Sequence, residues 1–532
     1  MPARLWFSPA GLPRLRQRAA QGWLHDVGQA ALQAAASAPP ATLEGLAAWI
    51  EASAVSHLLT GRTDQAPATG DAVRVLLDRE APSDLSRALQ IQAAVIGYDL
   101  CAQAWPRDQK DAIAGRLLAL AHRLAGTDLS PDNPDNPFNN WWGVTHAAAG
   151  LAALCLRGEH AGADALLALS RDRIRTHLLN YGDRGHYYEG TGYGCYALSH
   201  WAPYVLAERH IGEFDPGALA PGIAWFGVTL LAQTVARPQI DDATGLPRTA
   251  LGARLVWNDD GGSFPARGIG PLCAALAPEA LRPALRGQLD RLNGPLGDRS
   301  AAAAGPGLLW TLLYTPDEAP PGVHPAPLPR FVYDQRTGLV LFRNRYQDAD
   351  DTVVGVYAKT YHGGGHTHED LGAWRWQGLG AAWAQGGGQA KPEAVFQCTV
   401  QCNGRPNTGR HGQVSYLSPG PDGSGGSVSL RLGPSAGVRR LDRHFLVDFS
   451  GAAGADTLVV VVDECLADEP STWTWSLCFE RRLECRIDAD GRGFTLRDPH
   501  GGATCRATLL QPGTATLAVH EGPSTHRRFS DG

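Results

Sequence analysis

His366, Thr367, His368, Glu369 and Asp370 follow directly on Gly363, Gly364 and Gly365, so two imidazoles and two carboxylates stand within five positions. On an extended strand residues two apart point to the same side. His366 and His368 are therefore expected to act together on one ligand, by binding a metal or by neutralising an anion. A solvated polar loop after a glycine turn is the competing reading.

Two further stretches carry comparable chemistry. In PDNPDNPFNNWWGVTHAAAGLAAL, residues Asn139, Asn140, Trp141 and Trp142 open an Ala-rich helix. Asn can cap such a helix and Trp can fill a core. Alternatively, an aromatic wall stacks on sugar rings while an amide binds a carboxylate or hydroxyl. In GDRGHYYEGTGYGCYALSHW, residues His186, Tyr187, Tyr188, Glu189, Tyr193, Tyr196 and His200 are interleaved with five glycines. That pattern predicts an irregular loop with a helix starting near Tyr196, read as an active-site loop in preference to a structural one. Asn258, Asp259 and Asp260 read as a solvated turn or a polar break facing a groove. Arg405, Arg410 and His411 are candidates for a uronate or sulfate, or members of an ordinary charged loop. Glu189 and Asp260 would be the carboxylate pair of a glycosidase if they faced one another.

The elements that must position these groups change character along the chain. From about Leu43 to Tyr314, Ala and Leu recur at three and four positions between short Gly, Pro or Asp breaks, which predicts roughly ten amphipathic helices packed around a ring or arc. The proline-rich run 317–330 marks a linker. Beyond it, GLVLFRN, DTVVGVYAKTY, GSVSLRLG, DTLVVVVDE and STWTWSLCFE are β-branched or aromatic and bounded by turn residues, which predicts an antiparallel β-sandwich over 331–532. The fold class expected is α+β and multidomain.

Composition limits the partners. At 532 residues the chain exceeds one ordinary core. A net charge of -6 gives no general attraction to nucleic acid or anionic membranes. Nowhere do about 18 apolar residues run without a charge, as a membrane-spanning helix needs. The N-terminal residues show no apolar export signal, so a soluble cytoplasmic protein is expected. The ten cysteines read as buried free thiols, with Cys398 and Cys402 packing on a strand.

Three blocks in fixed order, NNWWGVTHAAAG at 139–150, YYEGTGYGCY at 187–196 and HTHEDLGAWRWQGLGAAWAQGGG at 366–388, resemble the heparinase II/III-like polysaccharide lyases, including heparinase III-type and alginate or oligoalginate lyases. The strand GLVLFRN and the segment FQCTVQCNGR are weaker matches. The resemblance implies an incomplete α/α toroid over 1–316 joined to the β-sandwich, and β-elimination on a uronic-acid-containing poly- or oligosaccharide. It implies that Asn140 binds the C5 carboxylate, that His366 helps to neutralise it or takes the C5 proton, and that Tyr193, in the Glu-Gly-x-x-Tyr pattern from Glu189, is general acid or base. Trp141, Trp142, Tyr188, Glu189, His200, Arg405 and Arg410 are the expected substrate-binding residues. Because such lyases are often exported, a periplasmic location stays open.

Many relatives in that family hold a structural zinc through the second His of the pair, an Asp eighteen positions on and a His opening the next strand. Here these positions are His368, Gly386 and Gln397, which implies a degraded metal site and no cofactor. Asp370, Cys398, Cys402 and His411 are the residues that would have to rebuild one. Trp141 stands where some relatives place a His. The lost ligands keep a non-catalytic polysaccharide-binding or assembly protein as an alternative, beside a glycoside hydrolase on the same toroid.

Overall fold

The computed structural model describes residues 5–126, 136–212, 214–240, 247–261, 268–293, 307–318, 327–348, 350–360, 365–388, 392–407, 411–510 and 515–520. The chain divides into two compact units: Met1–Tyr181, Tyr193–Gly227 and Pro265–Pro327 form the first, and Gly182–Gly192, Val228–Phe264 and Leu328–Gly532 the second. The division is not a single cut at the proline-rich run. Segments 182–192 and 228–264, which helical periodicity assigned to the first half, belong with the strands.

The first unit is helical. Its longer helices include Leu43–Thr60, Asp84–Cys101, Arg107–Ala125, Asn140–Leu156 and Ala163–Leu178. Their starts are chemically marked: Thr42, Ser83 and Asn139 accept from the backbone N–H of Gly45, Ser86 and Trp141. Helix Asn140–Leu156 packs against the helices on either side of it in sequence and against Asp84–Cys101. Only Trp141 and Cys155 of its residues escape burial. Small residues permit that approach: a Cβ added to Gly150 would lie 3.1 Å from Ser170 Cβ on helix Ala163–Leu178 and 2.7 Å from the Tyr204 ring. The two ends of the unit meet. Buried Glu51 accepts from Gly307 N and Leu309 N, both at 2.9 Å, and so caps helix Leu308–Tyr314. Trp6 packs edge-on against Trp310 with ring centroids 4.8 Å apart.

The second unit is built from antiparallel sheets. Strands β1 (Thr234–Ile240) and β2 (Pro247–Arg254) pair with each other. Strands β3 (Phe331–Asp334), β4 (Leu339–Arg343), β5 (Thr352–Tyr357), β6 (Ala373–Gly378) and β7 (Ala381–Ala384) form a five-stranded meander. After the short strands β8 (Val400–Cys402) and β9 (Arg405–Pro406), strands β10 (Gly412–Pro419), β11 (Gly425–Leu432), β12 (Val438–Asp448) and β13 (Leu458–Ala467) form a second meander.

Strand β4 is buried at every position because the five-stranded sheet has a core on each face. Val340 and Phe342 join Val354, Trp374, Val428, Leu430 and Phe445 in the core between the two meanders. Leu339 and Leu341 alternate to the other face and meet Val235, Ala253, Leu255 and Trp257. This second core is why 228–264 belongs to the strand-rich unit. The hairpin was hidden from helical periodicity, although Pro238 and Pro247 deny a helix there and Thr234, Val235 and Ile240 favour strand.

Candidate active site

The polar residues of the second unit converge around one buried ammonium group. Lys359, just past β5, is 1% exposed, and its Nζ donates to Asp370 Oδ1 and to the His368 carbonyl, both at 2.5 Å, with Asn258 Oδ1 at 3.3 Å. Asp370 takes a second donor from Asn258 N at 3.1 Å, and Asn258 Oδ1 accepts from His368 N at 3.2 Å. Burial alone would raise the Asp370 carboxyl, but Lys359, with Arg375 and His368 around it, holds it below the ordinary carboxylate range. Asn258 is buried, so the 258–260 turn is an internal support rather than a solvated one.

The support is conformationally costly. Among the described residues seven non-glycine residues have positive φ, and Asn258, Lys359 and His366 are three of them, at 53°, 51° and 55°. Each such residue costs about 1 kcal/mol or more, and such strain tends to collect at functional sites.

His366 sits on this support. Its Nδ1 lies 2.8 Å from Asp259 Oδ2, while Asp259 N donates to the His366 carbonyl at 3.2 Å. With a carboxylate accepting at Nδ1, the neutral ring carries its proton there and its lone pair on Nε2; the protonated ring presents a second N–H. The His366 side chain is about a third exposed.

The expectation of two imidazoles on one side of a strand is not met. Residues 365–371 form no strand, and β6 begins only at Ala373. His368 is buried and turns elsewhere: Gln397 Nε2 donates to its Nδ1 at 3.2 Å. Glu369 turns toward a third segment, where its carboxylate accepts from Ala394 N at 2.9 Å. Among the described residues no three His, Cys, Asp or Glu side chains come together as a metal would require, Asp370, Cys398, Cys402 and His411 included.

The carboxylates that would make a glycosidase pair if they faced one another are committed separately. Asp260 and Arg254 form a buried ion pair, with Nε to Oδ2 at 3.0 Å, and Asp260 also accepts from Gly192 N at 3.1 Å. A Cβ at Gly192 would lie 2.6 Å from Asp260 Oδ1, so glycine is needed there. Glu189 is fully buried and accepts from Gly365 N at 3.0 Å, which ties 187–190 to the start of the His366 loop. Tyr188 is buried, its carbonyl accepting from Asn258 Nδ2 at 2.9 Å. The structure therefore brings Tyr188, Glu189, Asn258, Asp259 and His366 together in one unit.

Asn140, Trp141, Trp142, Tyr193 and His200 lie in the first unit. Asn139 supplies the cap and Asn140, 1% exposed, opens the helix. Trp141 is half-buried. Trp142 is a core residue rather than part of an open wall: its indole N–H donates to the Arg173 carbonyl at 3.0 Å, His146 packs edge-on against it and the Arg173 guanidinium covers it. Tyr193 is half-buried in helix Thr191–Ile211, which starts five residues before the expected position despite Gly192 and Gly194. His200 is buried against Tyr196, and burial pushes its pKa down to about 4. Arg405 is exposed on β9 of the second unit, and Arg410 lies outside the described residues.

Two residues that organise the site escaped the sequence reading. Lys359 in VYAKTY and Arg375 in AWRWQ sit beside or within apolar strands. A lone cation in a run that otherwise reads as buried strand is the signal that it needs an internal partner.

The sequence matches no family profile and no curated protein. Solved structures do resemble it. Heparinase III aligns with 87% of this chain and 70% of its own, at 11% identity and a TM-score of 0.55. Heparan sulfate lyase HepC from Pedobacter heparinus aligns over 86% and 68%, at 11% identity and a TM-score of 0.51. At such identities the likeness is one of fold, α+β with antiparallel sheets.

Proposed function

We propose that this chain is a polysaccharide lyase of the heparinase II/III-like type, its helical unit an incomplete α/α toroid and its strand-rich unit the accompanying β-sandwich. The substrate is a uronic-acid-containing poly- or oligosaccharide, cleaved by β-elimination. The observation that carries the reading is the Asp259–His366 pair on its strained, buried support, in a chain whose fold is like that of heparinase III.

The chemical obstacle is the weak acidity of C5 beside a negative carboxylate. Asn140 and His366 lower it by donating to that carboxylate, so that charge spreads into it as the proton leaves. The C5 proton passes to the general base, its bonding electrons form the C4–C5 double bond, the C4–O4 bond breaks, and O4 takes up a proton from the general acid; no water is consumed. Tyr193 is the general acid or base. Its reference pKa of about 10 suits donation to O4, and proton acceptance requires nearby cations to lower it. Asp259 acts through His366 by holding its ring at Nδ1, so that the protonated ring presents its Nε2–H to the carboxylate. This reading requires Asn140, Tyr193 and His366 to converge on one sugar ring. Asp260, paired with Arg254, is unsuited to the acid role a hydrolase would give it.

Incubation with a panel of uronate polymers tests the proposal: a cleaved substrate should give products with the ultraviolet absorbance of a double bond conjugated to a carboxylate. Tyr193→Phe and His366→Ala should each lower kcat by about 10²-fold or more. Full activity in either variant removes that residue from the mechanism.

A further inference from the structure

Two of the three positions at which the resemblance implies a zinc ligand lie against a buried guanidinium here. Arg375 on β6 is fully buried. Its Nε donates to the Val256 carbonyl at 2.7 Å, Nη1 to the carbonyls of Trp374 at 2.9 Å and Gln397 at 2.6 Å, and Nη2 to Gln397 Oε1 at 2.7 Å. The guanidinium carbon lies 5.0 Å from the centre of the Trp257 ring. One side chain thus joins β6, the 394–398 segment and the stretch leading to Asn258.

Two of the three expected ligand positions meet this guanidinium. A Cβ at Gly386 would stand 2.7 Å from Arg375 Nη2, so an Asp side chain there would force the hydrogen-bonded guanidinium out of its present position. Gln397 turns its oxygen to Arg375 and its nitrogen to His368 Nδ1. Because Arg donates only, the amide orientation is determined, and His368 Nδ1 spends its lone pair on Gln397 rather than on a metal. The residues present do not fit zinc.

We propose that the Arg375 guanidinium replaces the metal ion as the fixed cation of this unit, with Gly386 and Gln397 as the paired adjustments that admit it. A planar cation with five donors can join several backbone carbonyls, as a tetrahedral ion joins its ligands, and it needs no anionic ligand set. The strand-rich unit is then held together without metal, whatever the substrate of the chain.

Thermal unfolding of the full chain, with its zinc content measured, tests this independently of activity. The native protein should purify without stoichiometric zinc and keep its midpoint in chelator. Arg375→Met should lower the midpoint by several degrees, without recovery on adding zinc. Arg375→Ala combined with Gly386→Asp and Gln397→His should gain zinc-dependent stability through His368. Native protein holding one zinc per chain and destabilised by chelator would overturn the proposal, as would an Arg375→Met variant as stable as the native chain. A folded triple variant indifferent to zinc would overturn the identification of this space as a metal position.

Discussion

At the scale of single residues, the His366 loop is held by charges that have no solvent to fall back on. Lys359 and Asp370 are both buried and joined at 2.5 Å. Removing one partner of a buried pair leaves the other unpaired, at about 3–5 kcal/mol. Lys359→Met should therefore destabilise the protein by about that amount in chemical denaturation; a loss under about 1 kcal/mol would mean that Asp370 is stabilised by other groups. Asp259 separates positioning from packing, since its carboxylate is partly exposed. Asp259→Asn should leave the unfolding midpoint nearly unchanged and lower kcat by about 10²-fold, with little change in KM. An unchanged kcat would show that the ring needs no carboxylate behind it. Sequence reading found His366, His368, Glu189 and the 258–260 triplet but not their connections. Spacing two apart implied a shared ligand for the imidazoles, whereas a positive φ at His366 breaks the alternation on which that inference depends.

At the scale of elements, the helices were legible because caps and Ala/Leu periodicity agree, as at Asn139 ahead of Asn140–Leu156. The meanders were legible because β-branched runs are separated by turn residues. The β1–β2 hairpin was not, because a short strand pair inside a helical stretch is set by the sheet face it covers, a contact that spacing does not encode. Glu51 was missed for a similar reason, since its partners lie 256 and 258 residues away. It satisfies the N–H groups of Gly307 and Leu309, and Glu51→Ala should cost about 1–3 kcal/mol in unfolding free energy by orphaning them. Hydrogen exchange should be fastest to respond in helix Leu308–Tyr314. A stability loss with unaltered exchange there would contradict the capping role.

At the scale of the whole molecule, burial makes the chain acid-sensitive. It pushes the pKa of His146 down to about 3 and of His177, His186 and His200 to about 4 each, from the ordinary 6.5. Between those values the unfolded chain takes up protons that the folded chain refuses, so stability is full above the unfolded pKa and declines as pH falls from about 6.5 toward 4. Each group contributes about 1.4 kcal/mol per pH unit across its window. Asp334, which burial pushes up to about 6, works in the opposite sense between 3.8 and 6 and offsets part of this loss. Denaturation midpoints should fall steeply below neutrality, and a flat profile down to pH 5 would place these rings in contact with solvent. Among the described residues no helix is long and apolar enough to cross a membrane. The central claim, that this chain cleaves uronate polymers by elimination, is tested most directly by digesting a cleaved polymer in heavy-oxygen water and weighing the fragments. Elimination predicts fragments that absorb in the ultraviolet, carry no heavy oxygen from cleavage and form about 10²-fold or more slowly in Tyr193→Phe and His366→Ala. Fragments that gain one heavy oxygen and no chromophore would contradict it and make the enzyme a hydrolase.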